Sequence, residues 1–289
     1  MIELSVIVCA HERHSDLDRC LAGLAALEDP VEVVVVDSAS RVPCESLVDS
    51  YRARISKLRY LYVEQPGLSL ARNAGVTAAR GKVVAFVDDD AVPAPDWARA
   101  IIGAFERPDV GCVGGACRPV FAVPRPGWLS ERLLQLAGIT RFGTDAGEPR
   151  SSAEWPFGAN MAFHREALAG AGQFSTALGR RGRSLLSGED SDMVARVLAL
   201  GWRVWLEPTA VVHHRVSAER CHGSYYWRRL WWNGIGRAVN PSVRVTARLL
   251  AAIPARLLLW AVARDRLYLY RLAESAGYFA ARLGLVGGK

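Results

Sequence analysis

Two hydrophobic periods alternate along the chain. Residues 4–8 and 31–36 are short apolar runs rich in Val and Ile, the pattern of strands buried on both faces of a parallel sheet. Between them Leu17, Leu21, Leu24 and Leu27 recur at helical spacing, which predicts a helix over 16–27. A third apolar run at 58–63 leads through the loop 64–67 into a helical pattern at 69–79. Gly81 ends that helix, and a fourth run at 83–87 stops abruptly at Asp88, Asp89 and Asp90. Further along, the pattern predicts a helix over 96–105, a strand over 110–114 and a Pro-, Gly- and Arg-rich loop from 118 to 155 with one helix near 128–136. Met193, Val194, Val197 and Leu198 predict a helix over 191–200, and strand character resumes at 203–206 and continues to 212. Strand–helix alternation of this kind predicts an α/β fold, a doubly wound, mostly parallel sheet whose ligand site lies at the carboxyl ends of the strands. Polar residues just after strands are therefore the first candidates for chemistry.

Composition narrows the class. The 289 residues are 51% hydrophobic and 22% charged, which fits a folded chain and excludes a disordered or collagen-like one. At about 100–200 residues per domain, that length is one large domain or two small ones. Six scattered cysteines, without dense or paired CxxC spacing, argue against a disulfide scaffold or zinc knuckles and point to a reducing cytosol. The apolar stretch before His11 is too short for a signal peptide or a membrane span. The net charge of +7 is uneven: residues 215–289 carry 13 basic and three acidic side chains, so the first 214 sum to −3. A uniform nucleic-acid-binding surface is excluded, and a local anionic partner for the tail is expected.

Three consecutive carboxylates repel one another unless a positive group sits among them. At Asp88, Asp89 and Asp90, hard oxygen ligands suit Mg²⁺ or Mn²⁺ sharing phosphate oxygens; the alternative is a solvated turn with helix-capping aspartates. A second acidic pair, Glu189 and Asp190, precedes the helix at 191–200 and offers a general base, or else only a helix cap. His213 and His214 end a strand-like segment and can reach a metal through a neutral nitrogen.

The order of these pieces resembles the family 2 glycosyltransferases with the GT-A, nucleotide-diphospho-sugar transferase fold. The resemblance runs from Ser5-Val6-Ile7-Val8 through Val36-Asp37-Ser38, Leu70-Ala71-Arg72-Asn73, Phe86-Val87-Asp88-Asp89-Asp90, Phe157-Gly158-Ala159-Asn160 and Gly188-Glu189-Asp190 to His213-His214. It implies a Rossmann-like catalytic domain at 1–215, with a nucleotide-binding half to about 115 and an acceptor-binding half from about 116, followed by a helical extension at 216–289. It also implies that Ala10, His11, Glu12 and Asp37 hold the nucleotide, Asp37 accepting hydrogen bonds from the base. Ala10-His11-Glu12 stands where the family usually has Thr-Tyr-Asn or Thr-Phe-Asn. Arg72 and Asn73 match its ARN segment; Arg72 is a partner for phosphate or for the acidic cluster, or an internal salt bridge. Asp88, with Asp89, would face the nucleotide while Asp90 coordinates Mn²⁺ or Mg²⁺ together with Asp88, and His213, in preference to His214, would close that site. Asp190 would be the general base and Glu189 would orient sugar or acceptor. Trp155, Phe157, Gly158 and Asn160 would line the acceptor side, although the apolar ones serve equally as core.

The expected reaction is attack of an acceptor hydroxyl, deprotonated by Asp190, on the anomeric carbon of a UDP- or dTDP-type sugar, inverting it in one displacement. The acceptor would be a saccharide, a lipid-linked sugar or a small molecule. The rivals are a nucleotidyltransferase and a non-catalytic carbohydrate- or nucleotide-binding module. The loop at 179–183 is expected to be a lid over the donor phosphates or a solvated loop. Tyr225, Tyr226, Trp227, Trp231 and Trp232 beside Arg228 and Arg229, with an apolar run at 246–263 broken by Arg248, Pro254 and Arg256, suit a helical pair on anionic lipid better than a spanning helix. With the cytosolic address read from the cysteines, two readings of the tail stay open: peripheral attachment to the inner face of the membrane, or packing on the catalytic domain or on a dimer mate; the aromatic segment also suits a carbohydrate surface.

Overall fold

Eight strands form one mixed sheet in the order β3-β2-β1-β4-β7-β6-β8-β5 in the computed structural model, which describes residues 3–182, 184–239, 252–257, 259–261 and 266–286. The parallel half consists of β1 (Leu4–Ala10), β2 (Glu32–Ser38), β3 (Lys57–Val63) and β4 (Val83–Asp88). It is wound by α1 (His14–Leu24), the short α2 (Glu45–Asp49) and α3 (Leu68–Ala78). After β5 (Ala91–Pro93) and α4 (Trp97–Ala104), the other half is completed by β6 (Val110–Phe121), β7 (Asn160–His164) and β8 (Arg203–Val216), with β4–β7, β6–β7 and β5–β8 pairing antiparallel. Helix α5 (Glu131–Leu134) follows β6, α6 (Arg165–Ala171) follows β7, and α7 (Glu189–Ala199) precedes β8.

The α/β expectation holds, and the reason is visible in the alternation within each strand. Val33 and Val35 of β2 belong to a core shared with Leu17, Leu21, Trp97 and Ile101 on one face. Val34 and Val36 belong to a core shared with Ala71, Leu168, Met193 and Val197 on the other. A strand covered on both sides has no polar face to show, so its sequence reads as an unbroken apolar run. The differences lie where that code is weak. Strand β6 extends past the anticipated 114 to Phe121, and the helix expected near 128–136 is α5 followed by a 3-10 turn, Gln135–Ala137. Helices α2 and α6 and strand β5 were not anticipated; they span five, seven and three residues, too short for a period to register.

Compactness divides the chain into two units. The first, residues 1–120, 138–176 and 189–215, holds the sheet strands and most of the helices that cover them. Within it, the side chain of Asn160 ties three elements together: its Oδ1 accepts from Trp97 Nε1 at 2.9 Å, while its Nδ2 donates to the carbonyls of Ala116 at 3.1 Å and Ala210 at 2.8 Å. The second unit, residues 121–137, 177–188 and 216–289, is built around α8 (Gly223–Val239) and α9 (Arg266–Arg282). These helices touch backbone to backbone, since a Cβ at Gly234 would meet the Glu274 carbonyl and one at Gly277 the Trp231 carbonyl. Buried Glu274 of α9 pairs with Arg237 at 2.8 Å and with Arg256 at 3.7 Å. Of the apolar run at 246–263, residues 246–251, 258, 262 and 263 lie outside the described residues, as does Arg183 of the 179–183 loop. Among the described residues no helix is long and apolar enough to cross a membrane.

Asn160→Ala would strand a buried indole N–H and two carbonyls. It should lower unfolding stability by about 3 kcal/mol in urea denaturation; a change within error would show that these contacts carry little.

Candidate active site

The three aspartates sit where the parallel sheet ends. Asp88 is the last residue of β4 and stands opposite Cys9 of β1. The chain then turns at once into β5, whose antiparallel pairing sets Ala91 opposite His214 and Val92 opposite His213. That register sets the two histidines apart. Side chains alternate across a strand, so His214 is buried and its Nε2 lies 2.9 Å from Asp90 Oδ1, while His213 is exposed. The sequence leaned toward His213; the geometry favours His214. One atom each from Asp88, Asp90 and His214 lie within 4.8 Å of one another, a set of two carboxylates and an imidazole able to hold a divalent cation. Gly138, at φ +86°, passes beside the His214 ring, where a Cβ would come within 2.8 Å of Cε1.

Compensating charge reaches the cluster from elsewhere. Arg13 Nη1, in the loop after β1, lies 3.2 Å from Asp89 Oδ1 and 3.1 Å from Asp90 Oδ2. Burial still pushes the Asp89 carboxyl up to about 7, Arg13 opposing the rise while Asp90 and Asp88 reinforce it. Arg13 is a residue that the sequence reading missed. Its only signal is a cationic side chain in a β1–α1 loop at the carboxyl end of the sheet.

Beneath Asp88 lies Arg72 of α3, 3% exposed, with Nη1 2.8 Å from Glu189 Oε1 and Nη2 3.9 Å from Asp88 Oδ1. Its Cζ also lies 5.8 Å from the Phe86 ring centroid and 5.5 Å from that of Phe174, within cation–π range. Burial raises the Glu189 carboxyl, Asp190 adding to this and Arg72 opposing it, and Glu189 Oε2 is buried without a hydrogen-bond partner among the described residues. The half-buried Asp190 sits in the first turn of α7, which Gly188 enters at φ +108°, a left-handed conformation suited to glycine. Its Oδ1 accepts from Ser191 N at 2.7 Å and its Oδ2 from Gly158 N at 3.3 Å.

Other anticipated residues are placed in the scaffold around this cluster. Asp37 is fully buried: Oδ1 accepts from Ser40 N at 3.0 Å, and Oδ2 from Cys44 N at 2.9 Å and Tyr60 Oη at 3.1 Å. Burial alone would raise its carboxyl, yet the hydrogen bonds from Ser40 and Cys44 hold it below the ordinary range. Ala10 is buried at the end of β1. The loops after β1 and β2 are locked together: His11 Nδ1 lies 2.6 Å from the Ser38 carbonyl, and Glu12, at φ +58°, accepts from Arg41 N at 2.7 Å. Asn73 is spent on the Phe174 backbone, donating at 3.0 Å and accepting at 2.8 Å. Trp155 and Phe157 are half-buried, with Trp155 against the core. Asn160 is wholly internal.

His214→Ala should weaken Mn²⁺ binding, read by its electron paramagnetic resonance, at least about tenfold, and His213→Ala should leave it unchanged. Equal effects would contradict the register.

Against this geometry, four likenesses stand out. The model of a family described as glycosyl transferase family 2 matches residues 5–170. The chain is 26% identical over 243 residues to the glucosyl-dolichyl phosphate glucuronosyltransferase of Haloferax volcanii, covering 82% of this chain and 77% of that one. It is 24% identical over 239 residues to the succinoglycan biosynthesis protein ExoM of Rhizobium meliloti, covering 81% and 73%. Among solved structures, the mannosyltransferase PcManGT of Pyrobaculum calidifontis, in complex with GDP-Man and Mn²⁺, matches at a TM-score of 0.63 and 24% identity across 97% of this chain and 86% of that one. The chain belongs to glycosyl transferase family 2 and is a glycosyltransferase that draws its sugar from a nucleotide sugar.

Proposed function

We propose that this glycosyltransferase inverts the anomeric carbon in a single displacement, with Asp190 as general base toward an acceptor hydroxyl. The observation that carries the reading is electrostatic. One buried guanidinium, that of Arg72, lies 3.9 Å from Asp88 and 2.8 Å from Glu189, the residue before Asp190, which ties the end of β4 to the start of α7. Asp190 is half-buried and anchored through backbone amides, so its carboxylate has a fixed place from which to take a proton. Glu189, 4% exposed and paired with Arg72, is too enclosed to act as a nucleophile on the sugar, which favours one displacement over a covalent intermediate.

Asp88, Asp90 and His214 would hold Mn²⁺ or Mg²⁺, a donor set whose hard oxygens suit such an ion. When bound, the ion neutralises charge on the departing diphosphate. Arg13, already against Asp89 and Asp90, is the cation of the first loop placed to pair with the same phosphates. Asp37 organises the β2–α2 loop, and the linked loops at 11–13 and 38–41 form the nucleotide side.

A lipid-linked acceptor at an anionic membrane surface is the favoured partner. The Haloferax relative is described as acting on a dolichyl phosphate sugar. In the second unit of this chain, Leu257, Leu259, Leu283 and Leu285 are exposed, Leu283 and Leu285 by 72% and 75%, next to exposed Arg282.

Asp190→Asn should lower nucleoside diphosphate release from a panel of UDP-glucose, UDP-glucuronic acid and GDP-mannose with Mn²⁺ by about 1000-fold, while Mn²⁺-dependent thermal stabilisation by the donor persists. Undiminished turnover in the variant would refute the assignment of the base.

A further inference from the structure

A buried arginine is an unusual thing to keep beneath a carboxylate cluster, and every contact of Arg72 has a reason to be there. Its guanidinium is 3% exposed, so it offers no surface to a substrate phosphate. Nη1 is fixed by Glu189 Oε1 at 2.8 Å, and Nη2 faces Asp88 Oδ1 at 3.9 Å. Phe86 and Phe174, with ring centroids 5.2 Å apart, pack together against it. Gly158 closes the remaining side: a Cβ at that position would collide with Nη2 and lie 2.9 Å from Cζ. The absence of a side chain lets the 158 backbone cross directly over the guanidinium, and from there its amide N–H reaches Asp190 Oδ2 at 3.3 Å. Glu189 and Asp190 are neighbours in the first turn of α7, so the arginine grips the same turn a second time, through Glu189.

We propose that Arg72 is a positioning residue for sugar transfer: pinned by Glu189 and roofed by Gly158, it sets the place of the Asp190 carboxylate without touching substrate. This rests on Asp190 being the base, and extends that reading from the base to what aims it. A planar, always-charged fork suits the task better than an ammonium, because it satisfies Glu189 in-plane while leaving its face to the aromatic rings and the glycine. The buried Glu189 cannot be left without its cation, so the turn carrying Asp190 is fixed in one place.

The test uses the full chain with Mn²⁺ and the donor of the three-sugar panel that turns over fastest. Arg72→Lys and Gly158→Ala should each lower kcat for nucleoside diphosphate release, Gly158→Ala by about 30-fold, with KM for the donor within about twofold, because a misplaced base slows the step and not the binding. Arg72→Lys should retain more activity than Arg72→Met. In the Arg72→Lys background Nη2 is absent, so Gly158→Ala should cost only about threefold. A donor-independent readout accompanies the kinetics: crystal structures of Gly158→Ala and Arg72→Lys should show the Gly158 N to Asp190 Oδ2 contact of the wild type broken. If Arg72→Met does not fold, Gly158→Ala and the double variant decide alone. The proposal is overturned if KM rises while kcat holds, which would make Arg72 a donor ligand, if the Gly158→Ala effect is the same in both backgrounds, or if Asp190 stays in place in both crystal structures. Failure of Asp190→Asn to reduce turnover would instead remove the base assignment itself, an outcome told apart because it leaves the Arg72–Gly158 coupling measurable.

Discussion

Three carboxylates in succession at the end of a buried strand are tolerable only with positive charge close by, and the sources of that charge account for much of the chain's arrangement. Arg13 comes from the loop after β1; His214, from the far end of β8, adds a hydrogen bond to Asp90; and Arg72 comes from the middle of α3. None is a sequence neighbour of the aspartates, so the fold itself has to deliver them. The parallel core of β1, β2 and β4 delivers the first and the third. The pairing of three-residue β5 with β8 delivers the second, because it turns the chain back on itself immediately after Asp90.

This dependence also explains what could be read from the amino acids. The parallel strands were legible because burial on both faces leaves an unbroken apolar run, and Asp88–Asp90 stood out because the run stops at them. The acidic pair before α7 was legible as chemistry in the company of those aspartates. What stayed hidden depends on register and burial. Nothing in His213-His214 says which imidazole faces the sheet side of Asp90; that is fixed by Ala91 standing opposite His214, a fact about two strands some hundred and twenty residues apart. Likewise Asn160 and Asn73, suited by chemistry to ligand contact, are consumed inside the fold, one by Trp97 and two carbonyls, the other by the Phe174 backbone. An amide gives no sequence sign of whether its partner is a ligand or a neighbouring strand.

Arg72 shows the same principle at closer range. Sequence pattern identifies an always-charged side chain on a helix face, compatible with a phosphate ligand or an internal salt bridge. Burial favours the interior, and the adjoining rings with the bare backbone of Gly158 explain why that position tolerates a cation at all. The second unit follows a different logic. Among its described residues, Arg229 donates to the carbonyls of Leu136 and Leu185 and Arg237 pairs with Glu274, while Leu283, Leu285 and Arg282 are exposed.

The central claim is that segments near positions 88, 190 and 214 share one crevice in which a nucleotide sugar lies. Anomalous diffraction from crystals of the full chain grown with Mn²⁺ and a nucleoside diphosphate tests it most directly. The account requires the manganese peak within coordination distance of Asp88 and Asp90, on the His214 side, with the diphosphate against it and Asp190 facing the same space. Manganese bound elsewhere, or a diphosphate lying away from the aspartates, would contradict it.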